Sequence, residues 1–428
     1  MRKNVETSRA HSATWDNKNR FQIAPSAFTH AMRFQFFVLT GLLLADAIWW
    51  WRARQFLRKH TVGWRMALAF FCLFQAFAAF VVILGRRWSI ASQDWMPRPL
   101  IALAYLWHFL LLPALLVAIL AERFWIRVRP NREPLPLAMR PLEPSDGGWT
   151  RREFLSAGLV SAPAIVASGA TGFCLWQLEH FRTRRMVIEV PQLPPALDGL
   201  TIAHVADLHI GRFEHGAILE RVVQTTNDLQ ADLIAVTGDL IDYSLDDLPA
   251  AFELVESLRS RFGTFVCEGN HDVLANRNAF RKRTLDRGIA LLCNETAEVT
   301  IRGHVVQMLG LRWGSDIPLP QRSDRAIAHS MEQLLPQKRP DAFPILLAHH
   351  PHAFDYTDSI PLTLSGHTHG GQLMLAPHIG IGPLLFRYWS GLYARQNRSL
   401  VVSNGVGNWF PLRCGAPAEI VHLTLRAT

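Results

Sequence analysis

Cysteine is scarce in this chain. Five residues, Cys72, Cys174, Cys267, Cys293 and Cys414, are spread over 428 positions, with no Cys-x-x-Cys pair. That spacing argues against a disulfide framework and a structural thiolate zinc site, and leaves room for one bridge within the C-terminal half. No internal repeat at a fixed period is present. The C-terminal half also lacks a basic stripe with interleaved aromatics, so no nucleic-acid groove is expected there.

What the chain has in excess is apolar sequence. Hydrophobic residues make up 49% and mean hydropathy is positive. The net charge of +9 conceals a split. Residues 1–185 carry 24 Lys+Arg against 10 Asp+Glu, whereas residues 186–428 carry 20 against 25. The basic excess therefore lies among apolar segments, where it reads as topological charge beside a membrane.

Three apolar runs approach or exceed the roughly 20 residues needed to cross a bilayer. They are Phe34–Trp51, Met66–Gly85 and Leu100–Ala121. Trp49, Trp50, Trp51, Trp88, Trp95 and Trp125 stand at or near their ends, where amphipathic rings favour the interface. Asp46 and His108 fall within runs as single ionisable residues, read as packed or snorkelling groups. The expected organisation is a polar tail (1–33), a membrane region with three helices (34–129), a linker (130–149), a fourth helix preceded by paired arginines (150–182) and a C-terminal domain (186–428). Thr150-Arg151-Arg152-Glu153-Phe154-Leu155 resembles a twin-arginine export signal, with Ser156 in place of the usual lysine and an unusual internal position. Ordinary positive-inside arginines explain it equally well. Near the membrane, 12 Lys+Arg on the side of loops 52–65 and 123–152 face 9 on the other. The expectation is a multi-pass bacterial inner-membrane protein whose C-terminal domain is extracytoplasmic.

Residues 186–428 alternate between short β-prone runs and helical spacing. Thr201–Ala206, Leu233–Thr237 and Thr264–Cys267 read as strands, and Ala217–Leu229 and Leu248–Leu258 as helices, a βαβαβ pattern that predicts an α/β fold. Five motifs follow strand-like runs: Asp207-Leu-His209, Gly238-Asp239, Gly269-Asn270-His271-Asp272, His349-His350-Pro351 and Gly366-His367-Thr368-His369. Singly, each has an ordinary reading as a turn, a cap or a surface loop. Together, in this order, they form a set of oxygen and imidazole donors at the carboxyl ends of strands, where open α/β sheets place their sites. Donors without thiolate suit Mn, Fe or Zn.

With these motifs the C-terminal half resembles the calcineurin-like metallophosphoesterase family over roughly residues 186–428. Gly366-His-Thr-His-Gly-Gly-Gln372, Ser390-Gly-Leu-Tyr393, Ser403-Asn-Gly-Val-Gly407, Arg413 and Glu419-Ile420 resemble its bacterial membrane-anchored branch. The resemblance implies a four-layer α/β/β/α sandwich preceded by the membrane helices. It implies two divalent ions (Mn, Fe or Zn), the first held by Asp207, His209 and His369, the second by Asn270, His349 and His367, with Asp239 bridging. It also implies catalysis by His271, oriented by Asp272. The activity implied is hydrolysis of a phosphodiester or diphosphate by in-line attack of a hydroxide bridging the ions. Tethering beside a bilayer favours an envelope-lipid substrate, and export machinery is a further expected partner. Two other readings stand beside it: a broad-specificity phosphomonoesterase or nucleotidase, and a catalytically silent, metal-stabilised interaction domain. Arg387, Tyr388, Trp389, Asn404 and Arg413 are candidates either for lining the pocket or for packing on the sheet edge.

Overall fold

The computed structural model describes residues 25–57, 62–84, 97–128, 165–166, 169–178, 180–211, 213–314, 324–408 and 412–428. The paired arginines, the linker and most of the polar tail lie outside the described residues.

The three apolar runs form helices. Helix α1 spans Pro25–Leu57 and α2 spans Val62–Leu84. Helix α3 (Arg98–Leu106) passes through a π turn, Trp107–Leu111, into α4 (Leu112–Val128). Residues 169–178 form α5. Among the described residues no helix is long and apolar enough to cross a membrane. Asp46 and His108 are not isolated. The Trp107 indole donates to Asp46 Oδ1 at 2.8 Å, and His108 Nε2 lies 3.0 Å from Asp46 Oδ2. The partners are about sixty residues apart in sequence, which is why the sequence presented them as single groups.

The C-terminal half is built on two six-stranded sheets. The strands are β1 (Phe181–Val190), β2 (Thr201–Val205), β3 (Leu233–Thr237), β4 (Thr264–Cys267), β5 (Leu291–Leu292), β6 (Glu295–Ile301), β7 (His304–Gly310), β8 (Phe343–Leu347), β9 (Leu362–Ser365), β10 (Met374–Ala376), β11 (Ile379–Gly380), β12 (Gly391–Arg395), β13 (Arg398–Val402) and β14 (Ala418–Ala427). One sheet has the order β1-β14-β2-β3-β4-β5 and the other β12-β13-β9-β8-β7-β6, while β10 and β11 form a separate hairpin. Helices α6 (Ala217–Asp228), α7 (Leu248–Ser257), α8 (Arg277–Asp286), α9 (Asp324–Leu334) and the short α10 (Ile381–Leu385) connect them.

The layers follow from side-chain alternation. Successive strand residues point to opposite faces. In β3, Leu233 and Ala235 join a core shared with Ile345, Leu364 and Val401 of the second sheet. Ile234 and Val236 join another, with Val222 of α6, Phe252 of α7 and Phe280 of α8. A third core packs Ile327 and Met331 of α9 on Leu309 and Leu346. The result is the expected α/β/β/α arrangement, with strands buried on both faces. The first sheet begins earlier than expected, because β1 starts at Phe181, before the anticipated domain start at 186.

Candidate metal centre

The five motifs occupy the carboxyl ends of β2, β3, β4, β8 and β9, so both sheets contribute. Strand β2 ends at Val205, and the residues after it leave strand geometry. Asp207 has φ 53° and His209 φ 45°. Their convergence therefore comes from left-handed turns and not from strand alternation. Each turn is tied to the next loop: Asp207 N–H donates to Gly238 O at 3.1 Å and His209 N–H to Asp239 O at 2.9 Å. Asp239, His367 and His369 also have positive φ. Among the described residues, these five make up half of the ten non-glycine positions with positive φ, so backbone strain is concentrated at the site. Of the preceding glycines, Gly238 adopts a turn conformation at φ 80°. Gly269 acts differently: a Cβ there would lie 2.1 Å from Asp239 Oδ1, so only glycine lets the two loops meet.

All seven expected ligands come together. His209 Nε2 lies 3.1 Å from His369 Nε2, and His369 Nε2 lies 3.6 Å from Asp207 Oδ1. His349 Nε2 lies 3.1 Å from Asn270 Oδ1 and 3.2 Å from His367 Nδ1. Asp239 Oδ2 stands between the groups, 3.5 Å from His209 Nε2 and 3.2 Å from His349 Nε2. Among the described residues, three sets of donor atoms, each within 4.8 Å of one another, could hold a cation: Asp207/His209/His369, Asp207/Asp239/His349 and His209/Asp242/His271.

The local chemistry fits bound cations. Asp207 Oδ2 and His209 Nδ1 are buried without a hydrogen-bond partner, which is costly unless something fills the site. His349 Nδ1 is spoken for by Thr237 O at 2.8 Å, which leaves Nε2 facing the cluster. Burial pushes the Asp207 carboxyl up to about 7. Burial acts the same way on Asp239, but His349, His271 and His209 outweigh it and hold that carboxyl well below the usual range. Burial alone would lower His349, yet the Asp239 carboxylate raises it to about 9. Burial, with cationic neighbours, drives His209 and His369 well below the ordinary histidine value. The Asp239 carboxylate thus draws positive charge toward His349, the kind of charge a bound cation would supply.

The two catalytic candidates separate. His271 Nδ1 lies 2.6 Å from Asp242 O and 3.2 Å from Asp242 Oδ1. Burial would lower its pKa, but Asp239 and Asp242 raise it. Asp272, expected to orient the ring, is engaged elsewhere. Its Oδ2 accepts from the N–H groups of Asp239 at 2.9 Å and Gly269 at 2.8 Å. Its Oδ1 accepts from Leu240 at 2.8 Å and Ile241 at 3.2 Å. Asp272 therefore pins one metal-site loop to another, while Asp242 holds the His271 ring. The sequence reading missed Asp242; its position three residues after Asp239, in Gly-Asp-x-x-Asp, was the available signal. It also passed over Trp313, whose ring packs 5.4 Å from His349 and 5.1 Å from His367.

The candidate pocket residues divide as well. Arg413 is fully buried; it donates to the carbonyls of Asn404, Ala416 and Gly407 and lies 3.2 Å from His369 Nδ1. It backs the metal-site histidine from inside the protein. Arg387 and Tyr388 both donate to Asp355, at 2.8 Å each.

Residues 200–371 match the calcineurin-like phosphoesterase family. The chain is 31% identical over 293 residues to the uncharacterized metallophosphoesterase YkuE of Bacillus subtilis (strain 168), covering 65% of this chain and 98% of that protein. The chain belongs to the calcineurin-like phosphoesterase family. It is a metal-dependent phosphoester hydrolase. It is also similar to phosphodiesterase YaeI of Escherichia coli (strain K12), at 29% identity over 290 residues, 64% of this chain and 99% of that one. A zebrafish (Danio rerio) transmembrane protein with metallophosphoesterase domain is 32% identical over 248 residues, spanning 56% of each chain. In this calcineurin-like phosphoesterase the family match takes in every candidate ligand from Asp207 to His369, whereas Arg413 lies beyond it.

Proposed function

We propose that this protein is a membrane-tethered phosphodiesterase or diphosphate hydrolase that uses two divalent ions and acts on a lipid-linked phosphoester. The observation that carries the hydrolytic part is the pair of adjoining buried donor sets, Asp207/His209/His369 and Asp207/Asp239/His349, in which Asp239 Oδ2 reaches toward both His209 and His349. Asp207, His209 and His369 would hold one ion, Asn270, His349 and His367 the other, and Asp239 would touch both. Two such ions (Mn, Fe or Zn) would supply charge neutralisation at the phosphoryl oxygens and a more acidic bound water. His271 delivers a proton to the leaving oxygen, with Asp242 fixing its ring through Nδ1. Asp272 keeps the loops of Asp239 and Asn270 in register.

Two observations support the tether. The zebrafish relative is named a transmembrane protein. Large apolar side chains also stand exposed along the N-terminal helices, among them Phe37, Phe70, Leu73, Val117 and Phe124. Such surfaces mark protein or membrane contacts. The basic-residue count, 12 against 9 near the membrane, supports an extracytoplasmic catalytic half, with the paired-arginine segment as its export signal.

The test is hydrolysis by the full-length protein, loaded with Mn, of a chromogenic phosphodiester and its monoester in parallel. Diester preference lost in Asp239→Asn supports the proposal. Monoester preference makes the protein a phosphomonoesterase. No turnover of either ester with both ions bound leaves either a more demanding substrate or a binding role. A reporter fused to the C terminus reads the side of the membrane independently.

A further inference from the structure

Gly370, the residue after His369, also lines a separate cleft of 720 Å³ that none of the proposed ligands enters. Among the described residues its two charged side chains are Arg182 and Arg184 of β1. Both pair with Glu419, which is fully buried. Arg182 donates to its Oε2 through Nε at 3.1 Å and Nη2 at 2.8 Å, and Arg184 Nη1 to Oε1 at 3.4 Å. One carboxylate serves two guanidinium groups, so the cleft keeps a net positive charge. The side chains of Arg182 and Arg184 are 51% and 30% exposed, so a ligand can reach them.

The walls have a different chemistry. Trp389, Tyr393, Met374 and Leu392 line them. The neighbouring β10–β11 hairpin exposes Leu375 and Ile379, at 75% and 61%. Of nine exposed large apolar side chains described between residues 181 and 428, five lie within 375–392, so the surplus apolar surface of this half gathers beside the cleft. An inorganic anion would use the arginines and leave that surface in water.

The location identifies the occupant. Helix α5 ends at Leu178, and Arg182 follows four residues later, a stretch that spans at most about 14 Å. Ala102 and Leu106 of α3 and Cys174 of α5 pack on Leu373 and Leu412 of the catalytic half. The cleft therefore opens where the helices join the enzyme. With those helices in a bilayer, its arginines stand at headgroup level, where they attract anionic lipid. Tryptophan and tyrosine favour that depth.

We infer that this cleft binds an anionic phospholipid, with its phosphate on Arg182 and Arg184 and its glycerol and upper acyl chain against the apolar rim. The inference rests on the membrane tether proposed above.

The test uses the full-length protein in detergent, with monomeric dihexanoyl phosphatidylglycerol, dihexanoyl phosphatidylcholine and glycerol 3-phosphate as calorimetric probes. Phosphatidylglycerol is expected to bind about 10-fold or more tighter than either of the others. Arg182→Gln with Arg184→Gln removes that preference. Leu392→Glu, at a position 43% exposed, removes it too without disturbing Glu419. Equal binding of the two lipids overturns the inference, as does an unchanged preference in the Leu392→Glu variant. Glycerol 3-phosphate binding as tightly as phosphatidylglycerol reduces the cleft to a site for soluble phosphate and likewise overturns it. Fractionation of the full chain with membranes, and turnover of the soluble diester, are read separately, so failure of the tether or of the hydrolase reading shows on its own.

Discussion

Asp272→Asn distinguishes a residue that holds loops from one that tunes catalysis. Each carboxylate oxygen of Asp272 accepts two backbone N–H groups, from Asp239 and Gly269 on one side and from Leu240 and Ile241 on the other. Asparagine has one carbonyl oxygen. Whichever way its amide is turned, two buried donors face an NH2 group. A buried donor left unsatisfied costs about 1–3 kcal/mol, so the substitution should cost about 2–6 kcal/mol. For a domain of this size that is a fall of roughly 5–20 °C in the unfolding midpoint. The measurement belongs at pH 8. Burial and the neighbouring Asp239 push this carboxyl up to about 7, against the pull of its backbone donors, so at pH 8 it is ionised. The assay is thermal unfolding of the full-length protein in detergent, followed by tryptophan fluorescence, with turnover of the folded variant measured alongside. A midpoint within about 2 °C of wild type, joined to a shifted pH–rate profile, would refute the reasoning. Asp272 would then be acting on the His271 ring, as the sequence first suggested.

Other outcomes follow from the same geometry. His271→Ala should lower turnover about 10²–10⁴-fold while metal content, read by elemental analysis, is unchanged. Asp242→Asn removes one of the groups that raise the His271 pKa, so the alkaline limb of the pH–rate profile should move to lower pH; a limb that stays in place rejects the pairing. Metal affinity should fall on acidification. Asp207 and His349, raised to about 7 and about 9, hold protons below those values, and cations must displace them. Affinity is therefore lost as pH drops through about 9 and again through about 7, and Mn binding near neutrality should release protons, measured by calorimetry in buffers of different ionisation enthalpy. Gly269→Ala, whose Cβ would meet Asp239 Oδ1, should lose both metal binding and folded yield, read by elemental analysis and size exclusion.

What the sequence disclosed is what depends on residue type at a strand end. Aspartate, asparagine and histidine after apolar runs name a metal site because few other uses collect those donors in that order. These strands were readable because both faces are buried, leaving short apolar runs such as Leu233–Thr237 and Thr264–Cys267. The half-exposed β6 and the arginine-rich β1 carried no such run. What stayed hidden depends on contacts between loops. Asp272 follows His271 in sequence, and adjacency suggested service to that ring. Its carboxylate instead faces the chain about thirty residues earlier, where the N–H groups of Asp239, Leu240 and Ile241 converge on it together with that of Gly269. Asp242 carries no signal beyond its place three residues after Asp239, and only the fold sets it against His271. Arg413 is similar: the sequence leaves it between lining the pocket and packing on the sheet edge, and only the packing of the last sheet shows it buried behind His369. The shared cause is that ligand identity is written locally, whereas the orientation of each ligand is set by backbone carbonyls and N–H groups, which have no residue type to read. For this enzyme, then, substitutions at the ligands test the metal reading, and substitutions at Asp242, Asp272 and Arg413 test whether the surrounding loops hold the site in the form that binds metal.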